Sequence, residues 1–263
     1  MAAIQDKMKY YIGTSTWSQP DWVGNFYPDR AKSKDFLAEY VKRLPTVEVD
    51  STFYAVPKTS VVENWYRIAP ENFVFSAKFP QRITHELRLI DAAEETEHFL
   101  KTLSLLGEKL GVLVMQFPFD FEATLQTVEA MKSYLAKLPT TGFRFAVEVR
   151  HKSWLREGFY ERLHKHNIAL VLADLPYMPK LDVETADFSY IRWLGNRKAM
   201  DGPFKEIRVD KHDELDAWLE IIRRLKGETL YGYFNNHFAG HSPTNAEQFA
   251  ATLREALPPD ASK

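Results

Sequence analysis

The chain has 263 residues, 45% hydrophobic and 27% charged, and at about 150 residues per domain its length spans roughly 1.75 domains. That composition excludes a disordered or fibrous chain and allows a sizeable core. Lys and Arg number 34 against 36 Asp and Glu, a net charge of −2, which excludes the strongly basic balance of a protein that grips nucleic acid through bulk phosphate contact.

Cysteine is absent. Disulfides, Cys-ligated zinc, iron–sulfur clusters and thiolate nucleophiles are therefore excluded, and any chemistry falls to oxygen, nitrogen or a cofactor. Residues 1–9 lack the apolar centre of a signal peptide, and the longest uncharged apolar stretch, 110–119, is too short to cross a bilayer. A cytoplasmic address and no membrane partner are expected.

Short β-branched or aromatic runs recur along the chain at 10–13, 46–50, 73–78, 112–116, 145–149, 169–173, 189–193 and 230–234. Helical spacing fills most intervals. Phe36, Leu37, Tyr40, Val41 and Leu44 form one such set, Phe99, Leu100, Leu103 and Leu106 a second, and Leu215, Trp218, Leu219, Ile222 and Leu225 a third. Gly107 and Gly227 stand where C-caps are expected. A capping-box pattern from Thr244 to Glu247 predicts the start of the last helix. The interval 175–188 carries Pro176 and Pro179 and is too short for a helix with its loops, so a loop or single turn is expected there.

Eight strands alternating with helices in about 250 residues predict a single-domain α/β fold, the (β/α)8 or TIM barrel, with a short or missing helix between strands 6 and 7. A doubly wound sheet is the runner-up, but it would open with a Gly-rich phosphate loop after the first strand, and none is present. The barrel is expected to span residues 10–257, after an N-terminal extension of 1–9 and before a loose tail of 258–263. In such a barrel the site lies at the C-terminal strand ends.

Strand side chains alternate, so along 47–50 the valines face one way and Glu48 and Asp50 the other, and along 147–150 Glu148 and Arg150 likewise oppose two valines. With the valines on the helices, Glu48 and Glu148 point inward. Lys78 ends the third strand, Gln116 the fourth, Asp174 follows the sixth, Arg192 lies in the seventh, and Asn235 and Asn236 follow the eighth. These charges could form an ion-pair plug. Desolvating so many ionisable groups costs several kcal/mol per ion unless repaid, whereas Val, Ile and Leu would fill a structural layer without that cost. A functional site is the preferred reading.

The string Gly13 to Ser18 with Trp22, Gly24, Phe26, Tyr27 and Pro28, and the run Val47 to Tyr54 with Pro57, resemble the opening motifs of the domain-of-unknown-function-72 (YecE-like) family. Lys78 with Thr84 and His85, the Gln116-Phe117-Pro118 and Glu148-Val149-Arg150-His151 runs with Ser153 and Trp154, Asp174-Leu175-Pro176, Tyr190-Ile191-Arg192 and the run Phe234 to His237 continue the likeness in order. Thr16, Asp50 and Phe119 stand where the family more often has Gly, Asn and Pro. The resemblance implies a TIM barrel and no settled reaction; that barrel is similar to nucleic-acid repair barrels such as endonuclease IV, a likeness of fold alone.

Three chemistries compete for these residues. Metal-assisted hydrolysis would draw on His85, His151 and His237 with Glu48, Glu148 and Asp174, but Lys78, Arg150 and Arg192 would repel a cation, so no metal ligand is assigned and no cofactor is expected; a divalent metal is the disfavoured option. A glycosidase would pair Glu48 with Glu148 at about 5–10 Å and stack sugars on aromatics. Three cations oppose its positive transition state, and Trp22 and Trp154 read as loop packing. An anionic ligand accounts for more of the set. Arg150, Arg192 and Lys78 would hold a phosphate or carboxylate, Gln116, Asn235, His85 and Asp174 would complete the binding set, and Trp17 and Tyr54 would stack on a planar group. Glu148 or Glu48 would act as general acid or base, and Lys78 as a further catalytic group, alternatively a Schiff-base nucleophile. The expectation is an enzyme with hydrolase or lyase acid–base chemistry on a small phosphorylated or otherwise anionic substrate. The alternative is a nucleic-acid-binding or repair-type barrel.

Overall fold

Buried parallel strands need apolar residues on both faces, and the eight predicted runs supply them. In the computed structural model, which describes residues 8–139 and 141–257, β1 (Lys9–Thr14), β2 (Thr46–Val49), β3 (Val74–Lys78), β4 (Leu110–Gln116), β5 (Arg144–Glu148), β6 (Ala169–Asp174), β7 (Phe188–Trp193) and β8 (Thr229–Phe234) pair in sequence order into a closed parallel barrel. The expected fold class is the observed one. The predicted tail at 258–263 and residues 1–7 of the predicted extension lie outside the described residues.

Closure runs along the full length of β1 and β8, from Lys9 opposite Thr229 to Thr14 opposite Phe234. On its other side β1 pairs with β2 only at Thr14 and Val47. There Gly13 lies so close to β2 that a Cβ would fall 2.1 Å from the Thr46 carbonyl oxygen, so a side chain at this position would push the strands apart.

Alternation divides the apolar residues into two clusters. Val112, Val114, Ala146, Val171 and Tyr190 fill the barrel interior, while Val47, Leu113, Met115, Val147 and Ile191 face the helices. Inside, Tyr233 Oη lies 2.8 Å from both Thr46 Oγ1 and Ser76 Oγ, so the hydroxyls of this layer satisfy one another.

Among the described residues seven α-helices cover the barrel: α1 (Phe36–Tyr40), α2 (Thr59–Ile68), α3 (Ala93–Leu103), α4 (Leu125–Leu135), α5 (Glu157–Lys165), α6 (His212–Ile222) and α7 (Ser242–Ala256). The spacing that predicted a helix through Leu44 continues past Tyr40 only as turns, because Pro45 follows at once. Between β6 and β7 the chain forms no helix, as the two prolines predicted. One cap differs from the sequence pattern. Helix α7 begins at Ser242, with Pro243 in its first turn and the His241 side chain accepting from the Thr244 amide, so His241 rather than Thr244 is the cap. Among the described residues no helix is long and apolar enough to cross a membrane.

Candidate functional site

The alternation that puts valines on the helices turns Glu48, Lys78, Gln116, Glu148 and Arg192 inward at the C-terminal ends of β2, β3, β4, β5 and β7. Glu48 and Glu148 are fully buried, and Arg192 is 1% exposed. Arg192 Nη2 donates to Glu48 Oε1 at 2.8 Å, its Nη1 donates to Glu148 Oε2, and Arg150 Nε donates to Glu148 Oε1 at 2.7 Å. Tyr190 Oη donates to the remaining Glu48 oxygen at 2.7 Å. All four carboxylate oxygens are therefore engaged. Burial would raise the Glu148 carboxyl, but the Arg192 and Arg150 charges outweigh it and hold it at about 2. Each oxygen of the pair is committed to a donor beneath the mouth rather than free to exchange protons there.

Above them opens a cavity of about 700 Å³. Lys78, Gln116, Arg150, Arg192, His85, Tyr54 and Asn235 all line it. Lys78 is nearly buried and forms an ion pair with Asp50, which also faces the cavity. Burial lowers the Lys78 ammonium, and Arg192 lowers it further, against the pull of Asp50 and Glu48. Burial opposes ionisation of Asp50, yet Lys78, Arg192 and Arg197 together hold its carboxyl below the usual range.

His85 comes from a single wide helical turn, Arg82–Glu86, that follows β3. Its Nδ1 lies 2.9 Å from Thr84 Oγ1 and its ring stands edge-on to Phe53 at 4.9 Å. Burial, then the Arg150 and Lys78 charges, push this imidazole below its ordinary value, so it is neutral at pH 7. Asn235 is oriented by its own loop, its Oδ1 accepting from the His237 amide at 3.1 Å.

Two expected site residues lie elsewhere. Asp174 Oδ2 accepts from Trp218 Nε1 of α6 at 2.5 Å, because alternation along β6 puts Val171 and Ala173 inside and Asp174 outside. Trp17 packs edge-on to Trp65 at 5.3 Å and Phe75 at 6.3 Å behind the strands, and so is not a stacking platform in the mouth. Trp22 and Trp154 are buried packing residues, the latter donating from Nε1 to the Phe121 carbonyl. His151 bonds to Ser153 in its own loop, His241 serves as a helix cap, and His237 bonds to Asn235. Among the described residues no three His, Asp or Glu side chains converge as a metal-ligand set.

The sequence reading passed over Asp50 as a site residue and missed Tyr177, Arg197 and Lys198, which line the cavity from the loops after β2, β6 and β7. The signal for the last two is the Gly195-Asn196-Arg197-Lys198 run directly beyond the β7 apolar residues. Gly195 has φ 67°, and a Cβ there would lie 2.1 Å from the His237 carbonyl oxygen, so glycine is what lets this loop turn over the mouth.

Barrel and mouth together define a single-domain TIM-barrel protein with a cation-rich cavity at the C-terminal strand ends. The chain belongs to the family described as "Protein of unknown function DUF72", whose family model matches residues 11–262. It is 31% identical to the UPF0759 protein YecE of Escherichia coli K12 over 94% of each chain. It is 26% identical to the UPF0759 protein YunF of Bacillus subtilis over 92% of this chain and 94% of that one. The crystal structure of a DUF72 family protein from Thermotoga maritima superposes at a TM-score of 0.81 with 31% identity, covering 94% of this chain and 99% of the other.

Proposed function

We propose that this protein is an enzyme that binds a small phosphorylated or otherwise anionic substrate in the barrel mouth and transforms it by acid–base chemistry of the hydrolase or lyase type. The observation that carries the reading is the charge inventory of the cavity. Among the described residues Lys78, Arg150, Arg192, Arg197 and Lys198 line it with Asp50 as the one carboxylate, while Glu48 and Glu148 are fully buried beneath and occupied. Arg192 Nε is buried with no partner among the described residues, a donor that a ligand oxygen would satisfy.

In this reading Glu48 and Glu148 position Arg192 and Arg150 and do not exchange protons with substrate. Arg150, Arg197 and Lys198 bind the anionic group, Gln116 and Asn235 meet neutral oxygens, and Lys78 faces the reacting atoms with Asp50 beside it. The paired-carboxylate alternative finds less support, since every oxygen of the pair already accepts from Arg or Tyr.

A thermal-shift panel tests the reading. Inorganic phosphate, glycerol 3-phosphate and citrate should raise Tm in a saturable way where glycerol and ribose do not, and the Arg197→Gln/Lys198→Gln variant should lose most of that response. A panel in which no anion acts, or in which the neutral polyols act equally, overturns it.

A second reading rests on Tyr54 and Tyr177, 67% and 48% exposed on the cavity rim. Aromatics beside cations suit the bases and phosphates of a single-stranded nucleic acid.

A further inference from the structure

Among the described residues the protein buries two lysines, and their surroundings differ. Lys109, 5% exposed, donates from Nζ to the Tyr66 and Ala69 carbonyls, each at 2.7 Å, and lies over the Tyr66 ring. It is a well-satisfied tie between α2 and the start of β4. Lys78, 8% exposed, has Asp50 as its one polar partner among the described residues. Its ammonium carries three N–H donors, so the charged form is poorly compensated. The Phe53 ring, 5.7 Å from Nζ, supplies an apolar wall, and Arg192 stands across the cavity floor. A structural lysine would resemble Lys109. Lys78 instead sits at the end of β3, facing open space lined by anion-binding groups.

We propose that Lys78 is a covalent nucleophile, and that the anionic substrate carries an aldehyde or ketone with which it forms a Schiff base. The proposal rests on the anionic-substrate reading above and narrows it to a carbonyl phosphate or carbonyl acid and to lyase chemistry. Asp50 takes a proton from the Lys78 ammonium. The freed lone pair attacks the carbonyl carbon, and the C=O π pair moves to oxygen, which takes a proton from the now cationic attacking nitrogen to give the neutral carbinolamine. The carbinolamine oxygen leaves as water, its last proton returned from Asp50. Overall, one carbonyl group and one lysine ammonium give one protonated imine and one water, with charge conserved. The iminium then accepts the electron pair of an adjacent C–H bond, whose proton passes to the freed Asp50 carboxylate, or of an adjacent C–C bond, whose far carbon leaves as an aldehyde while its hydroxyl proton passes to Asp50; either way an enamine remains. Asp50 is suited to the relay because it is the group bonded to Nζ and reaches the cavity itself.

Reductive trapping tests this on the wild-type protein. Dihydroxyacetone phosphate, glycolaldehyde phosphate and pyruvate are each incubated with cyanoborohydride at pH 7, and the modified lysines are mapped by peptide mass spectrometry. Burial and the Arg192 charge lower the Lys78 ammonium and so raise its free-amine fraction, and labelling of Lys78 should exceed that of any surface lysine. Glycerol 3-phosphate should suppress the label at Lys78 alone. The Lys78→Met variant should lose the inhibitor-sensitive label. Labels confined to surface lysines with all three probes overturn the Schiff base, and if glycerol 3-phosphate still raises Tm the anionic-substrate reading survives. Loss of that thermal shift in the wild type is failure of the underlying reading itself. Labelling of Lys78 by butanone as fast as by the phosphates overturns the coupling of the nucleophile to an anionic substrate.

Discussion

Arg192 holds two buried carboxylates apart and aims its neighbours, so the energetics of the mouth concentrate on it. Removing one partner of a buried ion pair strands the other charge, and Glu148→Gln should lower unfolding stability by about 3–5 kcal/mol, read as a shift in urea midpoint. The same residue predicts a pH dependence. Its folded carboxyl sits at about 2 against about 4.3 unfolded, so its stabilisation is present above pH 5 and is lost as pH falls toward 2; the loss is about 3 kcal/mol. Glu148→Gln should flatten the wild-type stability profile in that window, and an unchanged slope would count against the network. At this scale the sequence was readable where a polar residue broke an apolar alternation, as at Glu48, Glu148 and Arg192. Asp174 misled because it ends a strand whose inward set is Ala169, Val171 and Ala173. Trp17 lies just past a strand end, where alternation no longer specifies which way a side chain turns.

The elements were legible in proportion to their burial. Strand β4 is an almost continuous apolar run, β7 is fully buried, and the ends of both fell within two residues of prediction. Caps were less legible, because His241 is not a residue that sequence patterns favour as an N-cap. Its Nδ1 accepts from the Thr244 amide and must be neutral to do so. Burial and the Arg43 charge lower its folded value to about 4, against about 6.5 unfolded. The unfolded chain therefore binds the proton first, and stability present above pH 6.5 falls as pH drops toward 4, by at most about 3 kcal/mol. Asn caps without titrating, so His241→Asn should keep stability at pH 7 and remove this component, checked by thermal midpoints from pH 7 to 4. The loop after β7 is an element of another kind. Gly195→Ala should displace it from the His237 backbone, weakening anion binding in the thermal-shift panel by about tenfold or more while β7 and β8 keep their far-UV signature.

For the whole molecule, a length that spans fewer than two average domains became one barrel because eight runs, and no linker, fill it. The net charge of −2 was the least informative quantity at this scale. It averages over a molecule that sequesters Glu48 and Glu148 beneath the mouth and leaves Arg150, Arg197 and Lys198 to line it. Arg197 and Lys198 were not legible because loop residues carry no periodicity that fixes their direction. This partition makes a prediction that separates the two readings of the cavity. A chain tracking 6–10 phosphates loses about 10³–10⁵ in affinity between 50 and 200 mM salt, whereas one small dianion held by two or three cations loses about tenfold. Titrating glycerol 3-phosphate and a fluorescent single-stranded oligonucleotide across that range should give measurable, shallow salt dependence for the former and, for the latter, only weak binding that vanishes at 200 mM. Tight oligonucleotide binding at 50 mM that falls by about 10³–10⁵ toward 200 mM, and that is lost in a Tyr54→Ala/Tyr177→Ala variant, would transfer the cavity from metabolite to nucleic acid.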